Sequence, residues 1–380
     1  GWTGDAQVFA YTGSLNAYTA NFMYKYLDAL RVSQNEDGSY LQITPFVDPT
    51  GGANGWSDAG IIIVWEMYQQ YGNQQVIREN LNAMCRYVDY LVNTSNEFIR
   101  EQQNYNDHNA ISYMEDACCN TAQCTYVAGL LAKMCDVVGE KELCEKYTEI
   151  YEAYLESWRS NFLREDGSIG NWLPSEYVIA LAYGLYPMEL EIAGAEKLKI
   201  SVEAGEHHFT TGYITTPHIL SILCKYGYVE TAYKMIQQTG YPSFNYMFEQ
   251  GTTALTEGWS TIMINGDGRK TINGSLNHVA LGAVGQWFYT DILGIKRDEA
   301  QPAYKHFFLE PQVGGGLTYA KGSYDSIYGN IESAWEVTEK GIEFHFVIPA
   351  NTSATVTLPG EEYREMELKA GVYDFVVPKE

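Results

Sequence analysis

The sequence predicts a mainly α protein, an α/α toroid of helical hairpins followed by a small antiparallel β-sandwich. Two observations carry that prediction. From about residue 16 to 294 the apolar residues recur at helical spacing, and after Gly294 they alternate at strand spacing. The chain of 380 residues exceeds one ordinary domain, and 46% of it is hydrophobic, enough for a large core.

Taken in order, Met23, Leu27 and Leu30 follow i, i+4, i+7, as do Met84, Val88 and Leu91. The spacing returns in Val127, Leu131 and Met134, and in Tyr151, Leu155 and Trp158. Further helices are predicted around 58–71, 176–186, 189–204, 217–226, 229–239 and 277–293. Between them lie turns such as Asp166-Gly167, Tyr241-Pro242-Ser243 and Gly266-Asp267-Gly268. Roughly ten or eleven helices in series suit a toroid; a solenoid is the alternative, and no fixed sequence period supports it.

Beyond Gly294, Ile342, Phe344, Phe346 and Ile348 alternate with Glu343, His345 and Val347. Ala354–Leu358 and Tyr373–Val377 read the same way. The predicted division is a helical domain over 1–297 and a β-domain over 298–380, with the boundary near 295–302.

Composition narrows the partners. With 48 acidic against 24 basic residues, the net charge is −24, which repels phosphate backbones and makes nucleic acid an unexpected partner. No run of about 18 apolar residues exists to span a membrane. The 31 Tyr and 8 Trp are compatible with sugar binding, since sugars present C–H patches beside hydroxyls. The 7 Cys lack framework spacing, which favours reduced thiols and a compartment such as the cytoplasm, with the periplasm as alternative. Cys118-Cys119 with Cys124 has no CxxC pair or matched His, so these read as small core residues rather than a zinc site. Gly1 is no initiator Met and no signal peptide is visible; the chain opens inside a motif and reads as a fragment. Oligomeric state is not encoded in any feature of the sequence.

Three segments couple Trp with a carboxylate: Gly1-Trp2-Thr3-Gly4-Asp5, Gly55-Trp56-Ser57-Asp58 and Glu257-Gly258-Trp259-Ser260. Each falls at a predicted loop or helix start, where toroid loops converge on a central pocket. A single such segment reads equally well as an N-cap Asp with a Trp stapling the turn. Three together point to a stacking face beside hydroxyl acceptors. Inverting glycoside hydrolysis needs two carboxyl groups, and the loops offer Asp5, Asp58, Asp107, Glu115, Asp116, Glu249 and Glu257. Composition alone does not choose the pair. Phosphate-loop, dinucleotide, serine-hydrolase and HExxH motifs are absent. His207-His208 precedes a turn and reads as exposed rather than metal-binding.

At this point an ordered set of motifs resembles glycoside hydrolase family seventy-eight, the bacterial α-L-rhamnosidases. Gly1–Gln7 resembles the segment following that family's catalytic acid; Gly51–Ala59 and Tyr241-Pro242-Ser243 also resemble family segments. Gly251–Trp259 resembles the segment around the general base, and Ser275–Val284 the segment after it. The resemblance implies an (α/α)6 barrel with a C-terminal β-domain, a rhamnosylated carbohydrate as substrate, and no cofactor. It implies Glu257 as the general base that activates water. It implies Asp5 and His278 as hydroxyl contacts, Trp2 and Trp56 as walls against the 6-deoxy methyl, and Asp58 and Trp259 in the pocket. Two departures follow. The family's acid, a Glu, falls three residues before Gly1, so a complete acid/base pair is not expected within this chain. At Asn106-Asp107-His108 the family commonly has Gly-Asp-Trp; Asp107 is kept, while His108 replaces part of an apolar wall with a titratable donor. That opens the alternatives of another sugar, or of an inactive sugar-binding homologue.

Overall fold

The computed structural model describes residues 1–360 and 364–378. Ten helices form successive hairpins: α1 (Thr3–Asn16) with α2 (Ala20–Val32), α3 (Ala59–Tyr71) with α4 (Gln75–Asn93), α5 (Asp116–Val138) with α6 (Lys141–Phe162), α7 (Pro174–Ala182) with α8 (Met188–Ala204), and α9 (Thr216–Lys225) with α10 (Val229–Gln237). A short α11 (Phe244–Glu249) follows. The burial pattern separates two layers. α3 and α5 are buried on nearly every side, whereas α6 buries only Tyr147, Tyr154 and Trp158, a single stripe. Accordingly α1, α3, α5, α7 and α9 line the lumen and their partners form the outer layer. The ring closes through Ala280–Ile292, which packs between α9 and α1, with the Thr12 hydroxyl donating to Ala283 O at 2.7 Å.

The expected helix over 277–293 is a correction. Ala280–Gly285 is a 3-10 turn and Phe288–Ile292 a π turn. Gly282 and Gly285 disfavour a regular helix there, while burial of Leu281, Val284 and Trp287 keeps the segment in the ring. Also unforeseen is a hairpin of β1 (Ile262–Ile264) and β2 (Lys270–Ile272), which closes on the Gly266-Asp267-Gly268 turn.

The C-terminal strands are β3 (Ile295–Arg297), β4 (His306–Leu309), β5 (Tyr319–Ser326), β6 (Gly329–Thr338), β7 (Gly341–Val356) and β8 (Met366–Pro378). They share one hydrogen-bonded sheet in which β7 serves both halves, pairing β6 through Gly341–Val347 and β4 through Ser353–Val356. Two expectations change here. Ala354–Val356 continues β7 past an irregularity between Ile348 and Ser353, and the β4–β7 pairing is parallel within an otherwise antiparallel sheet.

This sheet covers the C-terminal ends of the inner helices. Ala303 N donates to Gln69 O at 2.8 Å, Gln70 reaches the Tyr324 hydroxyl, and Arg297 pairs with Glu66 at 2.8 Å while lying 3.7 Å over the Tyr11 ring. Trp335 donates its indole N–H to Ile292 O at 2.8 Å. The opposite end, where the inner helices begin, is left to the loops. All the cysteines are free thiols; Cys118, Cys119 and Cys124 sit buried on α5.

Candidate functional site

The N-terminal ends of the inner helices converge on one face of the ring. Each helix start carries partial positive charge from unpaired N–H groups, a setting that favours carboxylates. Asp5 lies in the first turn of α1, Asp58 immediately precedes α3, and Asp116 opens α5. The loops between these starts bring together Trp2, Asp5, Trp56, His108, Glu257 and His278.

The aromatic wall is continuous. Trp2 meets Tyr105 edge-on at 6.0 Å, Tyr105 lies 4.3 Å from Trp56, and His108 stands edge-on to Trp56 at 5.6 Å and to Tyr213 at 5.1 Å. Tyr213 in turn lies 5.5 Å from His278. Trp2 is 46% exposed whereas Trp56 is 3% exposed, so Trp2 forms the open rim and Trp56 backs it. Gly4 is required for this packing, since a Cβ there would stand 2.5 Å from the Trp56 indole.

The polar side is built from both ends of the helical region. His278 Nε2–H donates to Asp5 Oδ1 at 2.9 Å, while its Nδ1 accepts a long bond from Ala280 N–H at 3.3 Å. The bond to Asp5 raises the pKa of His278, against burial, with the charges of Asp5 and Glu257 adding to it. His108 shifts the opposite way: burial lowers its pKa although Glu257 and Asp5 both oppose this. The charges of Asp5 and Glu257 thus bear on both histidines.

Glu257 is fixed by its backbone more than by its side chain. Its N–H donates to Ser275 O at 2.9 Å, and its carbonyl accepts from the Tyr213 hydroxyl at 2.8 Å and the Asn109 amide at 3.2 Å. One carboxylate oxygen, Oε2, accepts Ser275 N–H at 2.8 Å. Its other oxygen has no partner among the described residues. Gly258 permits this turn to lie against Asn109, because a Cβ would sit 2.7 Å from the Asn109 carboxamide. A carboxylate with one anchored and one open oxygen, beside a His–Asp pair and an aromatic wall, can accept a proton from water at a polyhydroxylated substrate.

Three expected site residues lie behind this surface. Asp58 is buried, accepting from Gly55 N–H at 2.6 Å and the Tyr87 hydroxyl at 2.7 Å; burial nevertheless raises its pKa. Asp107, also buried with a raised pKa, grips the start of α9 through Gly212 N–H at 2.7 Å, Ile214 N–H at 2.8 Å and the Thr215 hydroxyl at 2.5 Å. Trp259 donates to Thr211 O at 2.7 Å and stacks on Phe209 at 5.3 Å. Their polar atoms are engaged with the chain itself, so they hold the loops rather than face the opening. Sequence reading missed Tyr105, Asn109, Tyr213 and Ser275, which border Glu257 or the wall. Among the described residues no group of three His, Cys, Asp or Glu is arranged to hold a metal ion. No helix among them is long and apolar enough to cross a membrane.

Comparison with known proteins bears on this arrangement. Residues 1–292 match the bacterial alpha-L-rhamnosidase 6 hairpin glycosidase domain, and residues 294–372 match the bacterial alpha-L-rhamnosidase C-terminal domain. An alpha-L-rhamnosidase of Streptomyces avermitilis is 31% identical over 375 residues, covering 98% of this chain and 36% of its own. The crystal structure of Streptomyces avermitilis alpha-L-rhamnosidase complexed with L-rhamnose superposes with a TM-score of 0.93 at 30% identity, covering 99% of this chain and 38% of that one. The alpha-L-rhamnosidase structure from Dictyoglumus thermophilum gives a TM-score of 0.90 at 27% identity, covering 100% of this chain and 46% of that one. The chain thus spans less than half the length of these relatives.

Proposed function

The chain belongs to the bacterial alpha-L-rhamnosidase family with its 6 hairpin glycosidase domain, and from that premise we propose that it forms the catalytic part of an inverting glycoside hydrolase releasing terminal α-L-rhamnose. One observation carries the reading: Glu257 presents an open carboxylate oxygen beside the Asp5–His278 pair and the Trp2–Tyr105–Trp56–His108 wall.

In this mechanism Glu257 takes a proton from water as the water attacks the anomeric carbon, and a second carboxyl protonates the leaving oxygen. Asp5 and His278 bind sugar hydroxyls, His278 as donor and Asp5 as acceptor. Trp2 and Tyr105 supply an apolar face for the 6-deoxy methyl. Asp58, Asp107 and Trp259 act as positioning residues for the loops. The general acid is read, from the family resemblance, as a Glu three residues ahead of Gly1. Three residues reach at most about 11 Å, and Gly1, next to the rim residue Trp2, is held by its carbonyl, which accepts from Thr44 N–H at 3.0 Å. Such a residue lies within reach of the same opening. We divide the chain functionally into a catalytic unit, 1–297, and a β-unit, 298–380, with Ile295–Arg297 joining the sheet across that division.

The test is hydrolysis of an aryl α-L-rhamnopyranoside by the protein carrying this chain, with the first-formed anomer followed by NMR. Initial release of the β-anomer is expected. Initial release of the α-anomer would overturn the inverting mechanism. Turnover of another glycoside in preference would move the assignment to a different sugar, with His108 as the observation favouring it.

A further inference from the structure

Beneath the candidate site the toroid is not solid. A chamber of about 280 Å³ occupies the lumen, lined among others by Gln7, Glu66, Tyr126, His218, Gln286 and Arg297. It shares Trp65, Tyr126, Tyr183 and Glu299 with a second cavity of about 620 Å³ that extends between α5, α6 and the turn after α7. The shared walls join the two as one funnel, whose outer part opens between α5, α6 and the turn after α7. We propose that this funnel is a second ligand site, for a neutral polyol of monosaccharide size.

Three features lead to that chemistry. First, the chamber holds hydrogen-bonding capacity the chain does not use. Gln7 is 6% exposed; its amide N–H donates to Gly55 O at 2.6 Å, but its oxygen has no partner. A buried acceptor without a donor carries a desolvation cost that a hydroxyl would remove. The ring nitrogens of His218 likewise have no partner among the described residues. Second, the charges lining the inner chamber are balanced, while Asp136 stands exposed at the outer mouth. Glu66 pairs with Arg297 at 2.8 Å and Lys133 with Glu299 at 2.5 Å, while burial lowers the pKa of His218 to about 4 and keeps it neutral. Neither an anion nor a cation finds an uncompensated counter-charge in the chamber. Third, the neck is aromatic. Tyr126 and Tyr183 stack in parallel at 4.0 Å, with Trp65 beside them and Tyr151 further out in the mouth. Flat faces next to carboxamides and a neutral imidazole suit a molecule carrying both C–H patches and hydroxyls. The combined volume falls in the range of small-molecule sites, roughly 300–1,000 Å³.

The experiment uses the protein carrying this chain, isotopically labelled at histidine and titrated with L-rhamnose as the probe. His218 reports from the chamber, and His108 and His278 report from the candidate active site; His218→Phe identifies the His218 signal by its loss. A saturable shift of the His218 ring that persists in His278→Ala is expected, as is its weakening by tenfold or more in Tyr183→Leu. The wild-type titration decides the matter even if a variant folds poorly. A His218 signal that stays fixed while His108 and His278 respond would overturn the second site and leave the hydrolase reading intact. Silence from every histidine would also overturn it, and the turnover assay would then judge the hydrolase reading by itself.

Discussion

Glu257→Gln tests the general-base assignment with little disturbance to the fold. The Oε2 atom accepts Ser275 N–H at 2.8 Å, and a Gln carboxamide oxygen can accept the same bond. The backbone at 257 is held separately, by Ser275 O at 2.9 Å and the Tyr213 hydroxyl at 2.8 Å, so the loop keeps its place. No protein donor is left unpaired, and stability should change by no more than about 0.5 kcal/mol. What disappears is the proton acceptor at the open oxygen. A positioned base contributes typically about 10²–10⁴-fold, or roughly 3–5 kcal/mol of barrier. The expected result is a fall in kcat of that size on an aryl α-L-rhamnopyranoside, with KM within about threefold of wild type. Melting by circular dichroism supplies the control for folding. A folded variant that keeps kcat within about tenfold of wild type would refute the role, since among the described residues no second carboxylate is held in an equivalent position.

Further outcomes follow from the same geometry. The pKa of His278 is raised above 6.5 in the folded chain, so its bond to Asp5 stabilises fully below about pH 6.5 and less as pH climbs through the raised value. The melting-temperature gap between wild type and Asp5→Asn should therefore narrow from about pH 6 to about pH 8.5; a widening gap would contradict the pairing. Gly4→Ala would place a methyl 2.5 Å from the Trp56 indole, and about 1–3 kcal/mol of overpacking is expected by chemical denaturation, with reduced turnover. Arg297→Met strands Glu66 without its partner and should cost about 3 kcal/mol, most of it recovered in Arg297→Met/Glu66→Met. Failure of that recovery would place the cost elsewhere, in the lost contact with the Tyr11 ring.

The fold was readable where pattern is local. Helical spacing at Met84, Val88 and Leu91, or at Tyr151, Leu155 and Trp158, needs no distant partner to be recognised, and these residues lie in α4 and α6. β5 and β6 were not anticipated, because β5 buries only Tyr324 fully and shows no apolar alternation. The turns over Ala280–Ile292 escaped for a related reason: their helical apolar spacing comes from closing the ring, whereas the backbone follows the glycines. Within the site, the repeated Trp–carboxylate segments drew attention to Trp2, Asp5, Trp56 and Glu257. They could not separate open residues from buried ones. Asp58 and Asp107 look like pocket acids in sequence, and only their bonds to Gly55, Tyr87, Gly212 and Thr215 reveal that they brace loops. Tyr213 and Asn109 carried no signal, since their relation to Glu257 spans 44 and 148 residues.

The closure of the ring has a temporal meaning as well as a spatial one. Thr12 and Ala283, 271 positions apart, are hydrogen-bonded neighbours, and Asp5 finds its partner only in His278. A chain emerging from the ribosome makes α1 long before the segment that seals it. Until Gly285 has appeared, α1 lacks one flank, His278 has no fixed ring to stand on, and the turn carrying Glu257 has no Ser275 strut. Nascent or prematurely ended chains therefore hold most of the site's residues in disconnected pieces and should be inert toward substrate. Competence arrives in one step, when Ala280–Ile292 meets α1 and seals the circle.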